Sequence, residues 1–314
     1  MPSIEEDCDL GNRCRMDFTM EVIRADDDTH TVQVVIVPDA RRYEIVERNG
    51  EKFYLDKYLR HIVSVEEMNS SMARQMPGLP IFALSPTIKS APEYAAKRRA
   101  ALMSDVSTGD YTPPAERAIP HRRFEDDSTS REVAFLSVDI CGSSALRRAN
   151  PEAFDRAYAI MLRELGTVVG QFNGSLLKPT GDGFIAVIDY PAFTSLCDAA
   201  IDMGLSLLVV LRHSVNPALE QAGHEPLKIR IGADYGPAQI RQLEVPATGF
   251  SQPEVASDAL NRTVKVEQSC EENEFRIGRR LYELVHVQWL ERAQEMAFDG
   301  ASVGIPSYKV YRMR

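Results

Sequence analysis

The clearest hydrophobic patterning begins at Arg131. VAFLSVDI (Val133 to Ile140) is a short apolar run with an acid near its end, which predicts a strand. Gly142-Ser143-Ser144 then gives a turn and a helix start, and the helix runs to about Gln171 with a break near Asn150-Pro151. SLLKPT (Ser175 to Thr180) and FIAVI (Phe184 to Ile188) flank the tight turn Gly181-Asp182-Gly183, which predicts a hairpin. Ala192 to His213 reads as an apolar-faced helix and LKIRIGAD (Leu227 to Asp234) as a strand. A further strand at Ala238 to Leu243, a helix from about Glu254 to Ser269, and a terminal strand YKVYRM complete this part. The order β-α-β-β-α-β is that of the ferredoxin-like split unit, so the fold class is α+β.

The residues ahead of it differ in character. TVQVVIVP (Thr31 to Pro38) reads as a buried strand, and Tyr43 to Leu55 as a hairpin turning at Asn49-Gly50. Residues 71–130 are rich in Pro, Ser and Thr, with one helical piece near Pro92 to Met103, and read as a linker or strap. The expected division is a β-rich extension with its strap at 1–130 and a ferredoxin-like domain at 131–314.

Composition narrows the function class. With 314 residues, 44% hydrophobic and 26% charged, the chain has the balance of a water-soluble globular protein. Its first residues are acidic and lack an apolar core, unlike a secretory signal. The longest mainly apolar stretch, Leu205 to Leu211, is far short of the ~20 residues a membrane span needs. Five scattered cysteines without a C-x-x-C pair fit neither a disulfide framework nor a zinc knuckle, and a reducing cytoplasm is the expected setting. The six histidines show no metal-ligand spacing. A net charge of −10 speaks against a nucleic-acid backbone as partner, though not against a single nucleotide.

Two acids stand out on this frame. Asp139 closes an apolar strand, and Asp182 sits at the tip of a hairpin between two glycines. In a β-α-β-β unit the first strand lies beside that hairpin, so both carboxylates reach one point, as a pair of hard divalent cations requires. Helix capping and turn formation are the plainer roles for the same two residues. The helix start after Asp139 offers unpaired N–H groups to a phosphate.

V-D-I-x-G-S-S (Val138 to Ser144) together with K-x-x-G-D-G-F (Lys178 to Phe184) resembles the class III nucleotidyl cyclases, the adenylate and guanylate cyclase homology domain. The resemblance runs from Arg131 to about Val287 and takes in IRIGADYG, VKVEQS and GRRLYELV. It implies two Mg²⁺ or Mn²⁺ ions held by Asp139 and Asp182 with the backbone carbonyl of Ile140. It also implies a triphosphate cradled by Ile140, Cys141, Gly142, Ser143 and Ser144, and attack of the ribose 3′-hydroxyl on the α-phosphorus. A homodimer is implied as well, its second subunit bringing four residues to each site. Lys178 and Glu254 would read the base, Asn261 would orient the ribose, and Lys265 would stand where the family has a transition-state arginine.

Lysine for arginine loses the bidentate fork, and Arg262 or Arg276 are candidates to supply it. Glutamate at 254 is one methylene longer than the family's aspartate, which suits a smaller ring. The layout, a hairpin and strap ahead of the cyclase region, looks like the bacterial pyrimidine cyclases of Pycsar antiphage systems. The resemblance therefore implies UTP, next CTP, as substrate and a separate effector that reads the cyclic product. An adenylate cyclase using ATP is the alternative, and a degenerate nucleotide-binding module without activity is the alternative outside enzymes. The GGDEF signature of diguanylate cyclases is absent.

Overall fold

The computed structural model describes residues 15–26, 31–75, 86–121, 130–190 and 193–314. They fall into two compact units. One holds the described residues up to Gln75 with Glu283–Glu291, and the other holds those from 86 to Tyr282 with Arg292–Arg314.

In the first unit β1 (Phe18–Asp26) and β2 (Thr31–Pro38) form a two-stranded antiparallel ribbon. Contrary to the expectation of a buried strand, Val32, Val35 and Val37 are exposed, as are Met20, Val22 and Ile23 on β1. β-branched residues make the strand, but burial needs a covering layer, and among the described residues the ribbon has no third strand. β3 (Tyr43–Arg48), β4 (Glu51–Asp56) and β5 (Ile62–Ser64) make a second small sheet, followed by α1 (Val65–Gln75). Asn49 and Gly50 both take positive φ, 53° and 79°, as the expected two-residue hairpin turn demands. Tyr43, Val63 and Met68 pack with Met16 in a small core. Beside it Arg42, wholly buried, donates to Asp56 Oδ2 at 2.7 Å and to Asp17 Oδ2 at 2.9 Å. The backbone of Glu283–Glu291 closes this cluster, with Val287 N donating to Asp17 at 2.9 Å and Leu284 O accepting from Arg15.

The second unit begins with α2 (Ala91–Thr108), capped by Ser90 and ended by Gly109 in the left-handed region. The βαββαβ core follows as β6 (Ser130–Ile140), α3 (Ser143–Ala149), α4 (Pro151–Gln171), β7 (Ser175–Pro179), β8 (Gly183–Ile188), α5 (Phe193–Val210) and, after one π-turn, α6 (Asn216–Gln221), then β9 (Ile229–Val245). Asn150 caps α4 with Pro151 in its first turn, which is the anticipated break. The chain continues through β10 (Phe250–Ala256), α7 (Asp258–Gln268), β11 (Glu274–Gly278), α8 (Arg279–Tyr282), β12 (Ala293–Met296) and β13 (Val310–Met313). The sheet runs β12-β13-β11-β9-β6-β8-β7, with β10 folded back on β9.

Two expected strands, Leu227 to Asp234 and Ala238 to Leu243, are one continuous β9. Pro237 does not break it, because β11 pairs with β9 only as far as Ala233, so beyond that point a side of the strand is free of that neighbour. β6 is buried on both faces. Val133 and Phe135 pack with Ile185, Val187, Ala238 and Ala259 on the α7 side, while Ala134, Leu136, Val138 and Ile140 alternate to the other.

The helical piece anticipated near Pro92 to Met103 is α2, and it is an integral layer of this unit. Tyr94, Ala95 and Leu102 are buried, and Ser214 in the π-turn donates to Ala95 O at 2.6 Å. Arg98 forms a bidentate pair with Glu164 of α4, both bonds at 3.0 Å, and donates to Thr112 O at 2.8 Å. No helix among the described residues is long and apolar enough to cross a membrane.

Removing one member of a buried pair strands the other charge. Arg98→Met should therefore lower stability by about 3–5 kcal/mol in urea unfolding. Adding Glu164→Leu should recover a large part of that loss, because no buried charge is then left alone.

Candidate active site

The site is built where β8 begins beside the end of β6. Asp139 lies opposite Gly183 in the antiparallel ladder, which brings the turn 181–183 against the last residues of β6. A Cβ at Gly183 would overlap the carbonyl oxygen of Val138, so only glycine allows this approach. Gly181 takes φ +98°, also a glycine conformation. Ile140 N donates to Asp182 O at 3.1 Å and ties the turn to β6. Asp139 and Asp182 thus come from rigid elements that cross at one point.

The chain after Asp139 holds the turn from the other side. Gly142, at φ +70°, opens α3 without a side-chain cap, and Ser143 Oγ donates to Asp182 Oδ2 at 2.6 Å. Arg147 of α3 and Tyr158 of α4 donate to the carbonyls of Gly181 and Gly183 at 3.3 and 3.1 Å. Cys141 N bonds Lys228 O at 2.8 Å, and burial raises its thiol. Ser144 is exposed.

Arg230 of β9 and Glu267 of α7 complete the electrostatics. Arg230 lies directly opposite Asp139 in the β6–β9 ladder and donates to its Oδ2 from Nη2 at 2.8 Å and from Nε at 3.2 Å. The same guanidinium reaches Glu267 Oε1 at 2.5 Å. Burial raises the Asp139 carboxyl, the Arg230 hydrogen bonds oppose that, and the neighbouring Asp182 adds to it. Burial pushes Glu267 up to about 7, against the pull of Arg230 and with the help of Asp139. Neither Arg230 nor Glu267 emerged from the sequence as a site residue. The signal was a lone arginine within an apolar strand, two residues before Gly232.

This donor set fits a divalent cation. Two adjacent carboxylates that repel one another gain from a shared positive charge. Among the described residues no group of three ligating side chains exists. Asp139, Asp182 and a backbone oxygen such as that of Ile140 would hold Mg²⁺ or Mn²⁺ together with water and phosphate oxygens.

The remaining expected residues are placed elsewhere. Lys178 is exposed on β7. Glu254 is not on a helix as anticipated. It lies in β10 opposite Arg241, which pairs with its carboxylate at 2.9 Å, and the helix begins only after the Ser257 cap. Asn261 and Lys265 share the exposed face of α7, opposite the face that buries Ala259, Thr263 and Val266. They point to solvent, so a single chain does not bring them to the carboxylates. Arg262 and Arg276 are committed internally, to Asp234 at 2.6 Å and to Glu274 at 2.8 Å.

A sequence profile described as the adenylate and guanylate cyclase catalytic domain matches residues 126–303, more than half of the chain. No curated protein matches it in sequence. Among solved structures, the guanylate cyclase domain of RhGC from Catenaria anguillulae in complex with GTP is similar at 15% identity and TM-score 0.50, over 59% of this chain and 98% of that one. The catalytic core of a rhodopsin-guanylyl cyclase with converted specificity, in complex with ATPαS, is similar at 14% identity and TM-score 0.51, over 60% and 99%. The adenylyl cyclase CyaB from P. aeruginosa stands at 18% identity and TM-score 0.49, over 59% and 95%. At these identities the likeness is one of fold.

The raised Glu267 has a measurable consequence in the metal-free protein. A carboxyl with a folded pKa of about 7 lends stability that is full below its unfolded value and lost as pH rises through 7. Glu267→Gln cannot titrate. The Tm of this variant minus that of the parent, measured in chelator, should therefore become more positive between pH 5 and pH 8.

Proposed function

The chain belongs to the adenylate and guanylate cyclase catalytic domain family, and on that premise we propose that it closes a pyrimidine nucleoside triphosphate, UTP first and CTP next, into its 3′,5′-cyclic monophosphate with release of pyrophosphate. It is a class III nucleotide cyclase, a phosphorus–oxygen lyase. The observation that carries the chemistry is the meeting of Asp139 and Asp182 where β8 starts against β6.

Asp139 and Asp182 would hold two Mg²⁺ or Mn²⁺ ions, which would lower the pKa of the ribose 3′-hydroxyl and bring positive charge to the phosphates. The backbone N–H groups from Gly142 to Ser144 follow the carboxylate of Asp139 and receive the triphosphate, that of Cys141 being bonded to Lys228 O. Arg230, seated on Asp139, has the planar fork that phosphate oxygens match. Ser143 keeps the Asp182 carboxylate oriented through its 2.6 Å hydrogen bond.

The exposure of Asn261 and Lys265 supports a homodimer in which Asn261 of the partner subunit orients the ribose and Lys265 of the partner subunit supplies charge to the α-phosphoryl group. On this reading Lys178 and Glu254 donate to and accept from the base edge. A donor beside an acceptor matches cytosine and uracil as well as adenine, and the longer reach of Glu254 favours the smaller ring. The exposed Glu254–Arg241 pair is of the weakly held kind that a base can displace. The extension at 1–130 then adds α2 to the catalytic domain at 131–314. The enzyme acts in the cytoplasm and its product activates a separate effector in defence against phage. Because the Lys178–Glu254 polarity fits adenine equally, ATP is the second reading.

Purified protein with Mn²⁺ and ATP, GTP, CTP or UTP in turn, analysed by mass spectrometry, should yield cyclic UMP as the main product. Cyclic AMP as the main product would keep the chemistry and overturn the base assignment. Loss of metal ligation removes several kcal/mol of transition-state stabilisation, so Asp139→Ala and Asp182→Ala should each lower turnover by about 10³-fold or more. Mixing Asp139→Ala protein with Asn261→Ala protein should restore part of it, because one site of each heterodimer is intact. Heterodimers that form without regaining activity would refute the shared site.

A further inference from the structure

The reaction as described leaves unused a buried charged cluster beneath α7. The helix rests on the backbone of β9, since a Cβ at Gly232 would overlap backbone atoms of Thr263 and Glu267. Its start is fixed by Ser257, whose Oγ accepts from Ala259 N at 3.1 Å and donates to Pro237 O at 2.7 Å. Its rotation about its own axis is fixed by Arg262, which donates to Asp234 Oδ2 at 2.6 Å and to Tyr235 O at 3.0 Å. The Asp234 side chain is wholly buried. Its Oδ2 also accepts from the Tyr308 hydroxyl at 2.6 Å, and its Oδ1 accepts from Tyr235 N at 2.9 Å.

The Arg262 guanidinium lies 5.6 Å from the centre of the Tyr308 ring. Gly278 leaves the room this needs, because a Cβ there would stand 2.7 Å from both Asp234 Cγ and the Tyr308 oxygen. A carboxylate so deeply buried persists only when its bonds are satisfied, so the cluster has one favoured arrangement. Asn261 is the residue next to Arg262, and Lys265 follows one turn later.

We propose that Asp234, Arg262 and Tyr308 are positioning residues that set the rotation of α7 and thereby hold Asn261 and Lys265 for ring closure, an inference that rests on the role assigned above to Asn261. Their influence falls on kcat rather than on KM. The groups read as holding metal, triphosphate and base lie on β6, the following turn, β7, the turn before β8, β9 and β10, whereas the groups on α7 that face solvent act on ribose and α-phosphoryl as the bond forms.

Tyr308→Phe deletes one hydroxyl and leaves the Arg262–Asp234 contact in place. In the full chain with Mn²⁺ and the preferred triphosphate it should lower kcat about tenfold, since a displacement on the order of 1 Å at a reacting group costs up to about 10²-fold. KM should stay within about twofold. In an Asn261→Ala, Lys265→Ala background the same substitution should cost nothing further, because the residues through which it acts are gone. An equal loss in both backgrounds, an unchanged kcat in the parent, or a change confined to KM would each overturn the proposal. If Asn261→Ala itself leaves kcat intact, the role of Asn261 falls and this proposal falls with it, which separates the two failures. Should Tyr308→Phe not fold, Arg262→Lys, which keeps the charge and loses the fork, carries the same comparison.

Discussion

The close passage of Gly183 across the backbone of Val138 is the constraint on which the catalytic unit depends. Strand pairing alone would set β8 beside β6 in several registers. The absence of a Cβ at 183 admits the one in which Asp139 faces the hairpin tip. Once that register is set, the two carboxylates are adjacent without any long side chain having to reach. The bonds from Ser143, Arg147 and Tyr158 then stiffen an arrangement the backbone has already made. Carboxylates held this way cannot relax apart, and their mutual repulsion becomes a standing demand for positive charge. Arg230 answers part of it, and the repulsion adds to the burial that raises the Asp139 carboxyl.

The central domain was legible because its signals are local. Apolar runs of strand length, the Asn150-Pro151 break and the Gly181-Asp182-Gly183 turn each declare themselves within a few residues. Asp139 and Asp182 were legible for the same reason, together with their place in a β-α-β-β order. What escaped was set at a distance. The Arg230–Asp139–Glu267 contacts join residues far apart in the chain, and nothing adjacent to any of them announces the others. The two expected strands are one because β9 runs on past Ala233, where its pairing with β11 ends and Pro237 is tolerated. Glu254 was assigned to a helix that starts only after the Ser257 cap, because the pairing of β10 with β9 is not local. The β2 residues looked like core because β-branched composition reports conformation, while burial depends on which layer covers the strand.

α2 shows a similar limit. Its flanks are rich in proline and serine, which suggested a strap, but Arg98 places a guanidinium against Glu164 in a buried site. The helix also covers the π-turn after α5, where Ser214 spends its hydroxyl on the Ala95 carbonyl. The catalytic unit is therefore larger than its family core, and part of its dry interior comes from residues upstream of the region the family profile matches.

Glu283–Glu291 belongs with the first unit although the chain on either side belongs with the second. Val287, whose N–H closes the cluster of Asp17 and Arg42, leaves the ribosome about 245 residues after Arg42. At about 5–20 residues per second the amino-terminal unit waits on the order of tens of seconds for its last piece. It is not a module that could be lost, borrowed or exchanged between proteins by a single join.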